Sequence, residues 1–376
     1  MRAHVFTDAS LAEHAGRFAW LSIDVEQAKN ATFLQKFPWE AIPTFLVIDP
    51  TNETVAYKWL GTASAAQLIQ RLNDAEQAVR GSVGDPASTA MAEADRLYGA
   101  DKKLEAANAY QKAIDAGGAN WPARPRAVET MVIALSLSDK AEDCAKAAMQ
   151  QAPSLPRGSA FANVVTTGLS CALDSGPSSG WRAPAITALE PLVREALALP
   201  DILGDDRSGL YMTLVQARDA AGDEAGAKRL AGDWLDFLDR TTASAKNAEE
   251  RLAYDSHRVS AALALGAPER ALPALQASAR DLPNDYNPPA RIAVILREMG
   301  RYDEALAASD RALALAYGPR KIGIYEARAA IFQKKGDPAQ AKQTLLDAIA
   351  FARTLPPSPR IEQTIERLEK QRAKVG

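Results

Sequence analysis

Hydrophobic positions alternate with polar ones early in the chain and fall into helical spacing later. From Phe18 to Val25 the pattern has period two. Phe18 and Trp20 face one side and Leu21, Ile23 and Val25 the other, which predicts a strand. Phe33, Leu34 and Phe37 follow at helical spacing, and Pro38 ends that predicted helix. The apolar run Phe45-Leu46-Val47-Ile48, bounded by Pro43 and Pro50, is too short for a helix and predicts a buried strand. Asp49-Pro50-Thr51-Asn52 supplies a turn, and Thr54 to Leu60 predicts the returning strand of a hairpin. Gly61 breaks it, and Ser64 caps a helix carrying Leu68, Ile69, Leu72 and Val79. The expected order is therefore strand, helix, strand, hairpin turn, strand, helix.

Residues 81–89 are small, polar and interrupted by Gly81, Gly84 and Pro86, which predicts a linker. Beyond it the strand signal stops and helical hairpins begin. Gly266, Gly300 and Gly336 recur at close to the ~34-residue period of a helical repeat. Each is followed by a small residue at a fixed offset: Ala271, Ala305 and Ala341. Ala312 and Ala348 repeat the next small position. A glycine there turns the chain between antiparallel helices, and the alanines let the second helix approach the first closely. Ala106 to Ala113 and the turn Gly222 to Ala227 look like further copies. Residues 153–205 fit the period poorly and predict irregular helices around the loop Gly176 to Gly180. The last segment, Pro359 to Lys374, places Ile361, Ile365 and Leu368 on one stripe, as a helix covering the exposed end of a stacked array does. Its glutamates, Glu362, Glu366 and Glu369, argue against a helix lying on a membrane.

The chain bears two family resemblances. From about Phe6 to Val79 it resembles the later two-thirds of a thioredoxin-like domain. The residues that carry the resemblance are Ser22 to Glu26 at a strand end, Phe33 to Phe37, Ile42-Pro43-Thr44, the turn Asp49 to Asn52, and Gly61. The resemblance implies a cis peptide bond before Pro43 and a substrate-docking edge at Ile42, Pro43 and Thr44. It also implies that the family's first strand and its Trp-Cys-x-x-Cys segment would precede Met1, and the chain has no cysteine before Cys144. Either the redox pair lies upstream of this chain, or the domain is kept as a docking platform; the undamaged surroundings of Pro43 favour the first. The second resemblance is to the tetratricopeptide repeat, carried best by Met299 to Leu306 and Asp310 to Leu313. It implies a curved array with a peptide-binding inner side, on which the repeat register places Asn287, Arg297, Glu326 and Lys334. Ser256 and Ser260 occupy places where a carboxylate clamp would need other side chains, so that specificity is not expected.

The expected architecture is an α/β thioredoxin-like segment (1–80), a linker (81–89) and an all-α TPR-like helical repeat domain (90–376). Composition changes little. In a chain of 376 residues, a hydrophobic share of 47% and a charged share of 24% suit a globular protein. Aromatics at 6% suit closely packed alanine-rich helices. A net charge of -3 gives no footprint for nucleic acid. No apolar stretch reaches the ~18 residues of a membrane span. Met1 to Ser10 lacks a signal-peptide core, which makes a cytoplasmic location the default and a periplasmic one the expectation if the chain starts further upstream. His4, His14 and His257 show no ligand spacing, so no metal is expected, and no cofactor motif stands out. Cys144 and Cys171 read first as two buried small hydrophobes, with a bridge as the alternative. The function expected is a protein- or peptide-binding module without catalytic residues. The alternative is a thiol–disulfide oxidoreductase whose cysteine pair lies upstream.

Overall fold

A computed structural model describes residues 5–14, 16–80 and 84–375. Met1 to His4, Ala15, the first three linker residues and Gly376 lie outside the described residues, and with them the expectation for His4. The fold is mostly helical. It divides into two compact units: the described residues of Met1–Phe18 with Pro38–Trp234, and those of Ala19–Phe37 with Leu235–Gly376.

The hairpin forms as its pattern requires. Strand β1 (Thr44–Asp49) pairs antiparallel with β2 (Thr54–Leu60), with Phe45 opposite Trp59 and a register shift after Val47. Phe45 stacks on Trp59 at 4.2 Å between ring centroids. Helix α1 (Ala31–Lys36) precedes the hairpin and α2 (Ala65–Arg80) follows it. Leu68, Leu72 and Ala75 of α2 close a small core with Tyr57, Trp59 and Ala63. The Ile42–Pro43 bond is cis.

The strand expected from Phe18 to Val25 does not form beyond an isolated bridge at Phe18. Among the described residues the sheet has two strands only. Alternation prepares a segment for a sheet edge but does not oblige it to pair, and here residues 19–37 group with the C-terminal helices. A thioredoxin-like α/β layer is therefore not what these residues display. They display a hairpin and flanking helices.

The helical pairs of the first unit are α3 (Pro86–Gly99) with α4 (Lys103–Gly117), α5 (Arg124–Ser136) with α6 (Ala141–Gln151), and α7 (Ser159–Asp174) with α8 (Arg182–Leu197). Helices α9 (Gly204–Ala220) and α10 (Glu224–Ala243) come next in the chain. Asp85 opens α3 by accepting from the backbone N–H groups of Ala87 and Ser88, ahead of Pro86 in the first turn. The region 153–205, expected to be irregular, contains the regular α7 and α8, with Pro191 accommodated inside α8. Its prolines and glycines sit mainly in the connections.

Cys144 on α6 and Cys171 on α7 are joined by a disulfide, with Cα atoms 6.3 Å apart. This corrects the preferred reading of two separate small hydrophobes. Residue type alone showed two apolar cysteines and could not show that their helices adjoin. Gly168 of α7 marks how close α6 and α7 come. A Cβ there would overlap the Ala148 Cβ of α6. Gly168→Val is expected to cost about 1–3 kcal/mol through overpacking, read as a lower urea midpoint. An unchanged midpoint would show that the two helices can separate freely.

The second unit stacks α11 (Ala248–Ala253), α12 (Asp255–Leu265), α13 (Leu272–Asp281), α14 (Asn287–Glu298), α15 (Tyr302–Leu315), α16 (Arg320–Lys335), α17 (Pro338–Ala352) and α18 (Pro359–Lys374). Gly266, Gly300 and Gly336 adopt φ of 77°, 74° and 85° at the turns between paired helices, a left-handed conformation that favours glycine. Ala305, Ala312, Ala341 and Ala348 are fully buried where the helices cross. Helix α18 closes the stack, burying Leu368 with Ile365 partly buried against α17 residues. Among the described residues no helix is long and apolar enough to cross a membrane.

Candidate functional site

In the first unit, side chains on the first helix of each pair are engaged by the hairpin and α2. Asp95 and Tyr98 on α3, Arg126 and Glu129 on α5, and Ser159 on α7 all lie on the side of β2 and α2. Lys58 of β2 sits over the Tyr98 ring at 5.2 Å, and Arg126 over the Tyr57 ring at 4.8 Å. Gln67 of α2 donates to the Ser159 hydroxyl at 2.8 Å, and Arg71 lies 3.8 Å from Glu129. A Cβ on Gly99, at the end of α3, would fall 2.6 Å from the Val55 carbonyl oxygen, so β2 lies directly against that helix. Near this face burial pushes the Asp206 carboxyl up to about 7, with Asp205 and Glu129 adding to the effect.

The candidate docking edge lies in the same unit. Ile42 is 58% exposed. The Pro43 carbonyl accepts from the Gly61 N–H at 3.0 Å, and the Thr44 hydroxyl donates to the Ala41 carbonyl. Hairpin and preceding turn thus hold the three residues in place, with Ile42 facing solvent.

In the second unit the expected inner-face residues lie on α14 and α16. Asn287 begins α14, where its backbone N–H and its side-chain amide both donate to Asp285, at 2.7 and 2.9 Å. Arg297 donates to Glu298 at 2.7 Å. Glu326 is held by the Arg367 guanidinium of α18, one bond being 3.1 Å. Lys334 is exposed. A cavity of about 540 Å³ opens at one end of these helices, lined by residues 281–287, Leu315, Tyr317, Arg320, Asp24 and Glu26. Of the four expected inner-face residues the structure brings Asn287 into this cavity. Arg297, Glu326 and Lys334 lie elsewhere along α14 and α16.

Asp24, Glu26, Tyr286, Tyr317 and Arg320 were not anticipated. Asp24 accepts from the Tyr317 hydroxyl at 3.0 Å and from the Glu26 backbone N–H at 3.0 Å. Burial alone would raise Asp24, but these bonds hold it below the usual carboxylate range. Glu26 forms an ion pair with Arg320, and burial nevertheless raises its carboxyl. Accepting the Tyr317 bond, Asp24 in turn pushes that phenol up. Arg320 also lies over the Tyr286 ring at 5.9 Å. No sequence signal links residues so distant along the chain; Asp24 and Glu26 were legible only as the end of an expected strand.

His14 is buried and bonds Arg17 through Nδ1 at 2.6 Å, while His257 lies beside Tyr254. Among the described residues no group of His, Cys, Asp and Glu could hold a metal ion.

Residues 286–354 match the tetratricopeptide repeat family. No curated protein matches the chain by sequence. Among solved structures the chain is similar to a tetratricopeptide repeat protein from Parabacteroides merdae, at 9% identity and a TM-score of 0.49 over 76% of this chain and 100% of that one. It is similar to BtubC from P. vanneervenii, at 17% identity and 0.38 over 62% and 94%. It is also similar to the TPR2AB domain of yeast Sti1, at 14% identity and 0.26 over 75% and 98%. The tetratricopeptide match falls on α14 to α17.

Proposed function

We propose that this chain is a protein-interaction module whose C-terminal repeats bind an extended segment of a protein partner. The binding face is the inner side of α14 and α16, carrying Asn287, Arg297, Glu326 and Lys334. One observation supports this reading above others. Side chains on α3, α5 and α7 are occupied by the chain's own β2 and α2, whereas Lys334 stands exposed on α16. Repeats of this kind present such faces to peptides. A net charge of -3 favours a protein over a nucleic acid.

The test is charge reversal. A partner recovered by the immobilised full chain is titrated against the wild type and the Arg297→Glu, Lys334→Glu double variant. Affinity is expected to fall at least tenfold, about 1.4 kcal/mol, since reversing two charges sets like charges against each other across the contact. Equal affinities would place the contact elsewhere.

The same reading divides the chain into a thioredoxin-like segment (1–80), a linker (81–89), whose residues 86–89 form the first turn of α3, and helical repeats (90–376). What supports it is the hairpin, its entry through Ile42-Pro43-Thr44, and the α2 helix after Gly61. In this reading the segment is a docking element rather than a redox enzyme. The oxidoreductase alternative finds no support in this chain, whose two cysteines are bonded to each other in the core. That buried bridge favours a compartment that does not reduce disulfides over the cytoplasmic default.

A further inference from the structure

The segment around residue 25 is held on the C-terminal repeats in the manner of a bound peptide. Residues 19–24 have no regular secondary structure, and a turn follows at Val25 and Glu26. Two acidic side chains, separated by a single residue, are gripped individually: Asp24 by the Tyr317 hydroxyl at 3.0 Å and Glu26 by the Arg320 guanidinium. The backbone at Glu26 rests against Gly318. That glycine has φ +55°, and a Cβ on it would fall 2.8 Å from the Glu26 carbonyl oxygen. All three holding residues come from the short connection between α15 and the first turn of α16. Tyr286, next to the start of α14, backs Arg320 from the neighbouring repeat. The chain only partly fills the space, since the cavity of about 540 Å³ beside it remains open.

We propose that Tyr317, Gly318 and Arg320, backed by Tyr286, form a docking site for an acidic peptide that Asp24-Val25-Glu26 occupies as an internal ligand. A partner carrying two carboxylates at the same spacing competes for the phenol and the guanidinium. Arginine suits that role because its planar fork matches a carboxylate. A tethered ligand has an effective concentration on the order of millimolar, so it blocks weak competitors and yields to strong ones. The inference rests on the reading of the C-terminal repeats as peptide-binding and adds to it the chemistry of the peptide.

The probe is a fluorescent peptide with the sequence of residues 20–28, titrated against the full chain by anisotropy. Asp24→Asn with Glu26→Gln removes the internal carboxylates and keeps the shapes of the side chains. This variant is expected to bind the peptide roughly tenfold or more tightly than the wild type, because the tethered competitor is weakened. Adding Arg320→Glu is expected to abolish that gain, and a probe with amides in place of both carboxylates is expected to bind neither protein. Equal binding to wild type and double variant, or binding indifferent to Arg320→Glu, overturns the proposal. Should the double variant fail to fold, the wild type serves: millimolar unlabelled peptide is expected to speed amide exchange in residues 23–27, and no change overturns it. The two readings fail separately. Partner binding lost on Arg297 and Lys334 reversal, with no binding of the acidic probe, sinks this inference and leaves the inner-face reading intact.

Discussion

Asp95→Ala is expected to destabilise the first unit by roughly 3–5 kcal/mol, because it removes the carboxylate that balances a largely buried guanidinium. Asp95 is 4% exposed. Arg126 binds it through two parallel bonds of 3.0 and 2.9 Å, and the Tyr110 hydroxyl donates to the same carboxylate at 2.6 Å. Burial by itself would lower the Arg126 pKa; the Asp95 carboxylate more than offsets it, so the guanidinium stays charged. Burial likewise keeps the Tyr110 phenol protonated, as a donor in need of an acceptor. Without Asp95, Arg126 keeps Asp74 at 3.6 Å, a poorer contact, while Tyr110 loses its acceptor. Asp95→Asn retains one acceptor oxygen and is expected to cost less than the alanine. Urea unfolding of both variants checks the ordering. An alanine variant as stable as the wild type would mean that water reaches Arg126 and that this cluster does not hold α3 to α5.

The second large effect concerns the bridge. Changing Cys144 and Cys171 together to alanine is expected to cost about 3.5 kcal/mol from loop-closure entropy. The loop closed spans 27 residues between α6 and α7. Alanine at both positions avoids leaving a lone thiol, and the cysteines, 0% and 4% exposed, lie in a core already rich in alanine. Reductant is expected to lower the urea midpoint of the wild type and leave that of the double variant unchanged. Under native conditions the buried sulfurs are expected to resist both reductant and alkylation. Free thiol in the native protein, or identical midpoints with and without reductant, contradicts the bridge and with it the case for a non-reducing compartment.

The hairpin was legible in the sequence because the run from Phe45 to Ile48 and its turn carry strong local signals. So was the repeat period in the second unit, where glycine occupies the left-handed position of three successive turns. In the first unit that signal is obscured. Asp101 and Asp139 adopt φ of 62° and 54° at the corresponding turns, a conformation aspartate tolerates but does not announce. The expected strand from Phe18 to Val25 failed for another reason. Its alternation was real, but its fate depended on contacts with residues such as Tyr317 and Arg320, far away along the chain. Those long-range contacts also hid the cavity: the repeat register offered Asn287 as an inner-side residue, while nothing local could place Asp24 and Glu26 beside it. The engagement of α3, α5 and α7 by Lys58, Gln67 and Arg71 was equally invisible, since each reads as an ordinary polar residue of a hairpin or helix.

Partner binding by the inner face of α14 and α16 is tested most directly by amide hydrogen exchange of the full chain, with and without its captured partner. Slowed exchange is expected in α14 and α16, with α3 and α5 unchanged. Protection confined to α3, α5 or the β1–β2 hairpin, with α14 and α16 exchanging as in the free chain, would contradict it.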